Sequence, residues 1–156
     1  DKNTSIIKSL LQNKLEKKIK VKTINYFFNK LIDDKKKFHK NFYLSGNHIV
    51  KMLKKNMQFG YHGASHSRFS EMTKINQAKE IKNSINFFKK FSYHPEVFCY
   101  PHGSYNKATI TILKKLKIKY GLTVKHGIID LKKKIDMLSL PRIDAKILFK
   151  SLDTFN

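Results

Sequence analysis

Cysteine occurs once, at Cys99, so no disulfide can form within the chain and the redox compartment stays open. No stretch approaches the roughly 18 consecutive apolar residues that would cross a bilayer, and no basic, apolar, small-residue order marks a secretory leader. The chain starts at Asp1 and not at a methionine. We therefore expect a piece of a longer protein, with any leader outside these residues and a compartment that is cytoplasmic or cell-envelope-associated. Acidic side chains number 11 against 33 basic ones, and only two of the latter, Arg68 and Arg142, are arginines. The guanidinium is the group suited to bidentate phosphate contacts, and the lysines are spread along the chain among Asn and Ile. The net charge of +22 thus reads as a compositional habit, with no motif for specific nucleic-acid recognition. At 156 residues the chain falls short of the roughly 200 or more of a complete eight-unit β/α barrel.

What is present concentrates its chemistry in two stretches. In FGYHGASHSRF, residues 59–69, His62 and His66 stand four apart with only Gly, Ala and Ser between them. Small residues let both imidazoles turn toward one point, as a divalent metal with neutral nitrogen ligands requires. The same pair also arises by chance, and two ligands are fewer than the three a catalytic zinc normally takes from protein. The second stretch, VFCYPHGSYN at 97–106, reads as a buried strand running into a Pro-Gly turn.

The first quarter predicts helices. Ile7, Leu11, Leu15 and Ile19 recur every fourth position from Thr4 to Ile19, and Thr23 is placed to cap a second helix ending in the charged run Asp33 to Lys37. Ser45 should cap a helix with Ile49, Met52 and Leu53 inward, followed by a strand from Met57 to Tyr61 that delivers His62. Met72, Ile75, Ala78, Ile81, Ile85 and Phe88 step by three and four along a long helix starting at Ser70 or Thr73. Asn106 should start the next helix, and Tyr120 to Val124 and Leu138 to Ile143 read as strands, the last interrupted by Pro141. Strands alternating with helices imply a parallel α/β sheet or barrel, whose site lies at the carboxyl ends of the strands. His62, Pro101 and Arg142 fall at such ends.

Taken in this order, with H-x-x-x-H, Y-P-x-G-x-Y-N and L-P-R, the chain from about Phe42 to Ala145 resembles the NodB-type polysaccharide deacetylases, carbohydrate esterase family four. The resemblance implies the C-terminal part of an irregular NodB-type (β/α) barrel over residues 42–156, with a helical insertion or lid over 1–41. It implies metal ligation by His62 and His66, with Zn²⁺ expected and Co²⁺ or Ni²⁺ as alternatives, and an N-acetylated carbohydrate as substrate. Tyr100, Pro101 and Tyr105 would border the sugar. The backbone N–H of residue 102 would face the developing oxyanion, while the His102 side chain either makes a local turn hydrogen bond or serves as a general acid.

Departures accompany the matches. Gly63 stands where the family has Ser or Thr, Cys99 where many members have Arg, and His102 where Tyr is usual; there is no tryptophan. The family's first motif, an Asp-Asp pair after the opening strand, has no counterpart. Asp33-Asp34 imitates it, but at the end of a helical pattern and ahead of three lysines. The ligand and base carboxylates are therefore expected upstream of Asp1, and residues 1–156 alone are expected to be inactive. A base carboxylate must be kept ionised and oriented, and with Cys99 in place of the usual arginine, Arg142 is expected to take that task. Two other readings stay open: a catalytically silent relative that binds glycan through the same groove, and a basic module that binds polyanions without metal. His39, His48, His94 and His126 carry no pattern and are expected at the surface.

Overall fold

The computed structural model describes residues 1–145 and 147, so the end of the expected barrel portion, residues 148–156, lies outside the described residues. The chain forms two compact units, Asp1–Lys51 and Met52–Asn156.

In the first unit α1 spans Lys2–Ser9, α2 Lys17–Leu31 and α3 Lys35–Phe42, and α4, Gly46–Lys54, begins. The apolar spacing predicted one helix through Ile19, yet the chain breaks at Leu15, which is extended (φ −80°, ψ 137°). A π turn over Leu10–Lys14 precedes the break, closed by Leu15 N–H donating to Leu10 O at 3.0 Å. An i→i+5 turn slips the apolar stripe by one residue, so Ile7, Leu11, Leu15 and Ile19 cannot stay on one continuous face. Thr23 consequently falls inside α2, whose cap position is Glu16. The charged run does not end that helix but starts the next: Asp34 Oδ1 accepts from Lys37 N at 2.9 Å and caps α3. Ser45 caps α4 as expected, its hydroxyl accepting from His48 N while His48 Nδ1 accepts from Ser45 N, both at 3.2 Å. That is a reciprocal cap with an imidazole in the role usually held by Glu or Gln.

The second unit holds α5, Lys74–Lys89, α6, Lys107–Lys115, and a parallel sheet of β1, Val97–Cys99, β2, Tyr120–His126, and β3, Leu140–Arg142, in spatial order β1-β2-β3. The expected strand before His62 contracts to one parallel bridge between Tyr61 and Phe98, with Tyr61 N–H donating to Val97 O at 2.8 Å and Cys99 N–H to Tyr61 O at 2.9 Å. Phe69, Phe98, Ile81 and Leu113 are fully buried and form the centre of the core. Thr73 caps α5, and the buried stripe runs Gln77, Ile81, Ser84, Phe88. Ile75 was expected inward but is 80% exposed, because two residues before Gln77 is about 200° around the helix from that stripe.

Pro141 explains an irregularity in the sheet. Leu122 pairs with Leu140 and His126 with Arg142, so β2 uses four steps where β3 uses two. Proline at 141 can offer no ladder N–H. Side chains close the gap: Thr123 Oγ1 donates to Leu140 O at 3.0 Å and Arg142 Nε donates to Thr123 O at 2.7 Å.

Only six glycines occur in the chain, and the left-handed residues that end α4, α5 and α6 are Asn56, Ser92 and Lys117, with φ of 58°, 50° and 57°. Each end carries the paired 6→1 and 5→2 bonds of a Schellman turn, such as Ile118 N–H to Leu113 O and Lys117 N–H to Lys114 O, both at 3.1 Å. A Cβ in this conformation costs roughly 1 kcal/mol. Lys117→Gly is expected to stabilise the chain by about 0.5–1 kcal/mol, read as a higher midpoint in urea unfolding; a lower midpoint would show that the lysine side chain contributes more than its backbone strain costs. Gly121 answers a different need, since a Cβ there would lie 2.4 Å from Leu138 O and 2.5 Å from Tyr100 Oη.

Candidate functional site

The two stretches singled out in the sequence meet at the carboxyl ends of the strands. His62 follows the Tyr61 bridge directly, and His102 lies in the turn Pro101–Gly103 after β1. The imidazole centroids of His62 and His66 are 4.8 Å apart, and those of His66 and His102 4.5 Å. All three side chains are exposed. His62 Nδ1 lies 2.8 Å from Cys99 O. A carbonyl only accepts, so Nδ1 carries the proton and Nε2 keeps its lone pair, the form in which an imidazole binds a metal.

The backbone at this point is unusual. His66 and His102 adopt left-handed conformations, φ 54° and 56°, and Gly63 and Gly103 have φ 72° and 67°. For a residue with a Cβ such a conformation persists only when its surroundings hold it, and it concentrates at functional sites. Gly103 also has no room for a side chain, because a Cβ would fall 2.2 Å from Val124 Cγ2.

Hydrogen bonds stitch the two stretches together. Ser70 N–H donates to Ser104 Oγ at 3.0 Å, and the two hydroxyls are 2.7 Å apart. Gln77, fully buried on α5, donates from Nε2 to Phe69 O at 2.9 Å and Met72 O at 3.0 Å, and its Oε1 accepts from Thr109 Oγ1 at 2.7 Å. Thr109 and Asn106 form the capping box that starts α6. Glu80 Oε2 accepts from Ala64 N and Ser65 N at 2.9 and 2.7 Å. The sequence reading missed Gln77 and Glu80. A polar residue four positions before Ile81, on the inward stripe of an amphipathic helix, was the available signal for Gln77; Glu80 left none.

The remaining expected site residues fall in different environments. Tyr100 is 1% exposed, donates from its hydroxyl to Leu138 O at 2.6 Å and stacks on Tyr105 with ring centroids 4.3 Å apart. Burial first, then the neighbouring Tyr105 and Asp136, push its hydroxyl well above the usual tyrosine range, so it is a neutral donor fixed in the core. Pro101 is buried as well. Of the three residues expected to border a sugar, the half-buried Tyr105, with its hydroxyl 3.0 Å from Ser139 Oγ, is the one left with surface toward solvent. Arg142 is exposed, with its guanidinium anchored through Nε to Thr123 O. Asp34 is occupied as the cap of α3. His39, His48, His94 and His126 are exposed.

A parallel sheet with intervening helices, carrying its polar cluster where the strands end, is the plan of a β/α-barrel protein with its site on the carboxyl face. More narrowly, the chain belongs to the polysaccharide deacetylase family, whose sequence profile matches residues 13–121, and its fold is part of the irregular NodB-type barrel. Among solved structures it is similar to the deacetylase PplD of Streptococcus pyogenes, determined in complex with acetate, at 29% identity and a TM-score of 0.59 over 64% of this chain and 44% of that one. The Bacillus anthracis protein BA0330 matches at 22% identity and a TM-score of 0.56, over 64% of this chain and 32% of that one. The BpsB deacetylase domain of Bordetella bronchiseptica matches at 12% identity and a TM-score of 0.55, over 65% of this chain and 49% of that one; these last two likenesses concern the fold alone. The chain thus spans less than half the length of each. No curated protein matches it.

The divalent ion that the resemblance implies can be tested against these residues. Two imidazoles sharing a tetrahedral ion at metal–nitrogen distances of about 2.0–2.1 Å place their ring centroids about 5 Å apart. The His62–His66 pair, at 4.8 Å, fits, and the Cys99 carbonyl gives His62 the outer partner that metal-bound imidazoles normally have. Among the described residues no group of three or more His, Cys, Asp or Glu is arranged to hold a metal. The pair therefore fits as part of a ligand set.

Proposed function

We propose that the protein carrying this chain is a metal-dependent hydrolase that removes N-acetyl groups from amino sugars of a glycan, with His62 and His66 as two ligands of a divalent ion, Zn²⁺ by preference. The observation that supports this reading most is the fixed tautomer of His62, whose Nε2 lone pair is left for a ligand by the bond from Nδ1 to Cys99 O. When bound, such an ion lowers the pKa of water and polarises the amide carbonyl. The chain's own residues do the rest. The turn Tyr100–Ser104 is closed by Gly103 N–H to Tyr100 O and Ser104 N–H to Pro101 O, both at 2.9 Å, and the residue 102 amide within it is assigned to the oxyanion. Tyr105 borders the sugar. Arg142, held by Thr123 O, orients the base carboxylate and keeps it ionised. Acetate release from N-acetylglucosamine oligomers, with and without a chelator, tests the activity; release that a chelator leaves untouched would remove the metal from the reading.

Glycan binding without turnover is favoured by one observation: the described residues bring only two imidazoles, and no carboxylate, into ligand geometry. Affinity for the same oligomers with no acetate released would favour it. Salt-sensitive binding of polyanions that persists with chelator would instead point to the basic surface.

Arg142 separates these readings further. Arg142→Ala should lower turnover by about 10²–10³-fold with metal content unchanged, because orienting and ionising a base is worth a few kcal/mol. The base's apparent pKa should rise without the nearby positive charge, so the acid limb of the pH profile moves upward. Loss of the Thr123 bond alone would lower the unfolding midpoint and leave that limb in place. Cys99→Arg in the Arg142→Ala background is the reciprocal test, and unchanged turnover in Arg142→Ala would sink the assignment.

A further inference from the structure

The segment between His62 and His66 is Gly-Ala-Ser, with no large side chain to bury and hence little of its own to offset the entropy of ordering. It nevertheless turns sharply, with Gly63 at φ 72° and His66 at φ 54°, so it must be held from outside. Two successive amides, of Ala64 and Ser65, converge on a single atom, Oε2 of Glu80, at 2.9 and 2.7 Å. Glu80 lies one helical turn beyond Gln77 on α5, and Gln77 holds the carbonyls of Phe69 and Met72, in the chain that follows the loop. One helix therefore holds the loop at Ala64 and Ser65 and its continuation at Phe69 and Met72. The fit is close: a Cβ on Gly63 would lie 3.1 Å from Phe69 Cε2 and 3.5 Å from Glu80 Oε2.

The geometry points to Glu80 as a positioning residue for the metal loop: by accepting both amides it keeps His62 and His66 presented as a pair, an inference that rests on the metal reading proposed above. Groups that orient metal ligands from outside typically govern 10–100-fold of metal affinity. Because both amides reach one oxygen, the single carbonyl oxygen of glutamine can replace it, whereas alanine cannot.

Zn²⁺ titration by calorimetry tests this on the full-length protein carrying this chain, as wild type and as Glu80→Ala, Glu80→Gln and Ile85→Ala. Ile85 sits on the same helix, packs against the core and makes no hydrogen bond to the loop through its apolar side chain, so it reports what general destabilisation does. The expected result is a 10–100-fold loss of affinity in Glu80→Ala, within about threefold of wild type in Glu80→Gln, since the hydrogen-bond geometry and not the net charge carries the effect, and no loss in Ile85→Ala. Wild-type affinity in Glu80→Ala, or an equal loss in Ile85→Ala, would overturn it. Hydrogen exchange at Ala64 and Ser65 in metal-free protein adds an arm independent of the metal: faster exchange in Glu80→Ala and restored protection in Glu80→Gln are expected. If the wild-type full-length protein bound no Zn²⁺, the metal reading would fail, and exchange alone would decide whether Glu80 holds the loop; unchanged protection in Glu80→Ala would rule that out.

Discussion

In the full-length protein, His62→Ala and His66→Ala are each expected to weaken Zn²⁺ binding by at least about a hundredfold, because losing one imidazole from a set of about three leaves too few ligands to compete with water. The two variants should not differ greatly, since the rings stand 4.8 Å apart and either loss breaks the pair. His102→Ala is the informative comparison. Its ring packs on His66 at 4.5 Å but lies outside the H-x-x-x-H pair assigned to the metal, so its removal should change affinity far less. Competition against a chromophoric chelator measures all three. Undiminished occupancy in either of the first two would remove that residue from the site.

The second large effect concerns folding. Gln77→Leu keeps the volume of a fully buried side chain but strips the amide that serves Phe69 O, Met72 O and Thr109 Oγ1. Phe69 O keeps Met72 N and Thr109 Oγ1 keeps Asn106, so Met72 O is the group left without a partner. The expected loss is about 1–3 kcal/mol, a large part of a typical domain's stability of about 5–15 kcal/mol. Urea unfolding measures it. A loss below about 1 kcal/mol would show that water or neighbouring groups replace the amide without difficulty.

How much of this was legible depended on how local the determining signal was. Caps at Ser45, Thr73 and Asn106 were readable because a side chain bonding an amide three residues on depends on little beyond those residues. Parallel strands followed from alternation of helix and strand patterns. The break at Leu15 was not readable, because a π turn leaves the apolar spacing intact while changing which face it occupies. Tyr100 shows the limit from another side. The family resemblance implied that it borders the sugar, but the ring turns inward to Leu138 O, a partner 38 residues away that no local pattern announces. Glu80 was hidden for the same reason, since its partners lie 15 and 16 residues earlier in the chain.

The spatial order of the sheet, identical to the order in the sequence, bears on how the protein is made. Each new strand pairs with the one before it, at the cost of closing a loop through one connecting segment, so contacts form between parts of the chain that leave the ribosome close together in time. The Tyr61 bridge and β1 can dock while β2 is still being synthesised, and β3 then pairs on the edge that β2 offers. Parallel pairing is slow when it joins distant segments and leaves strand edges exposed to other chains. Here each newly made strand covers the edge of the one before it, so that edge stays open only until the next strand emerges.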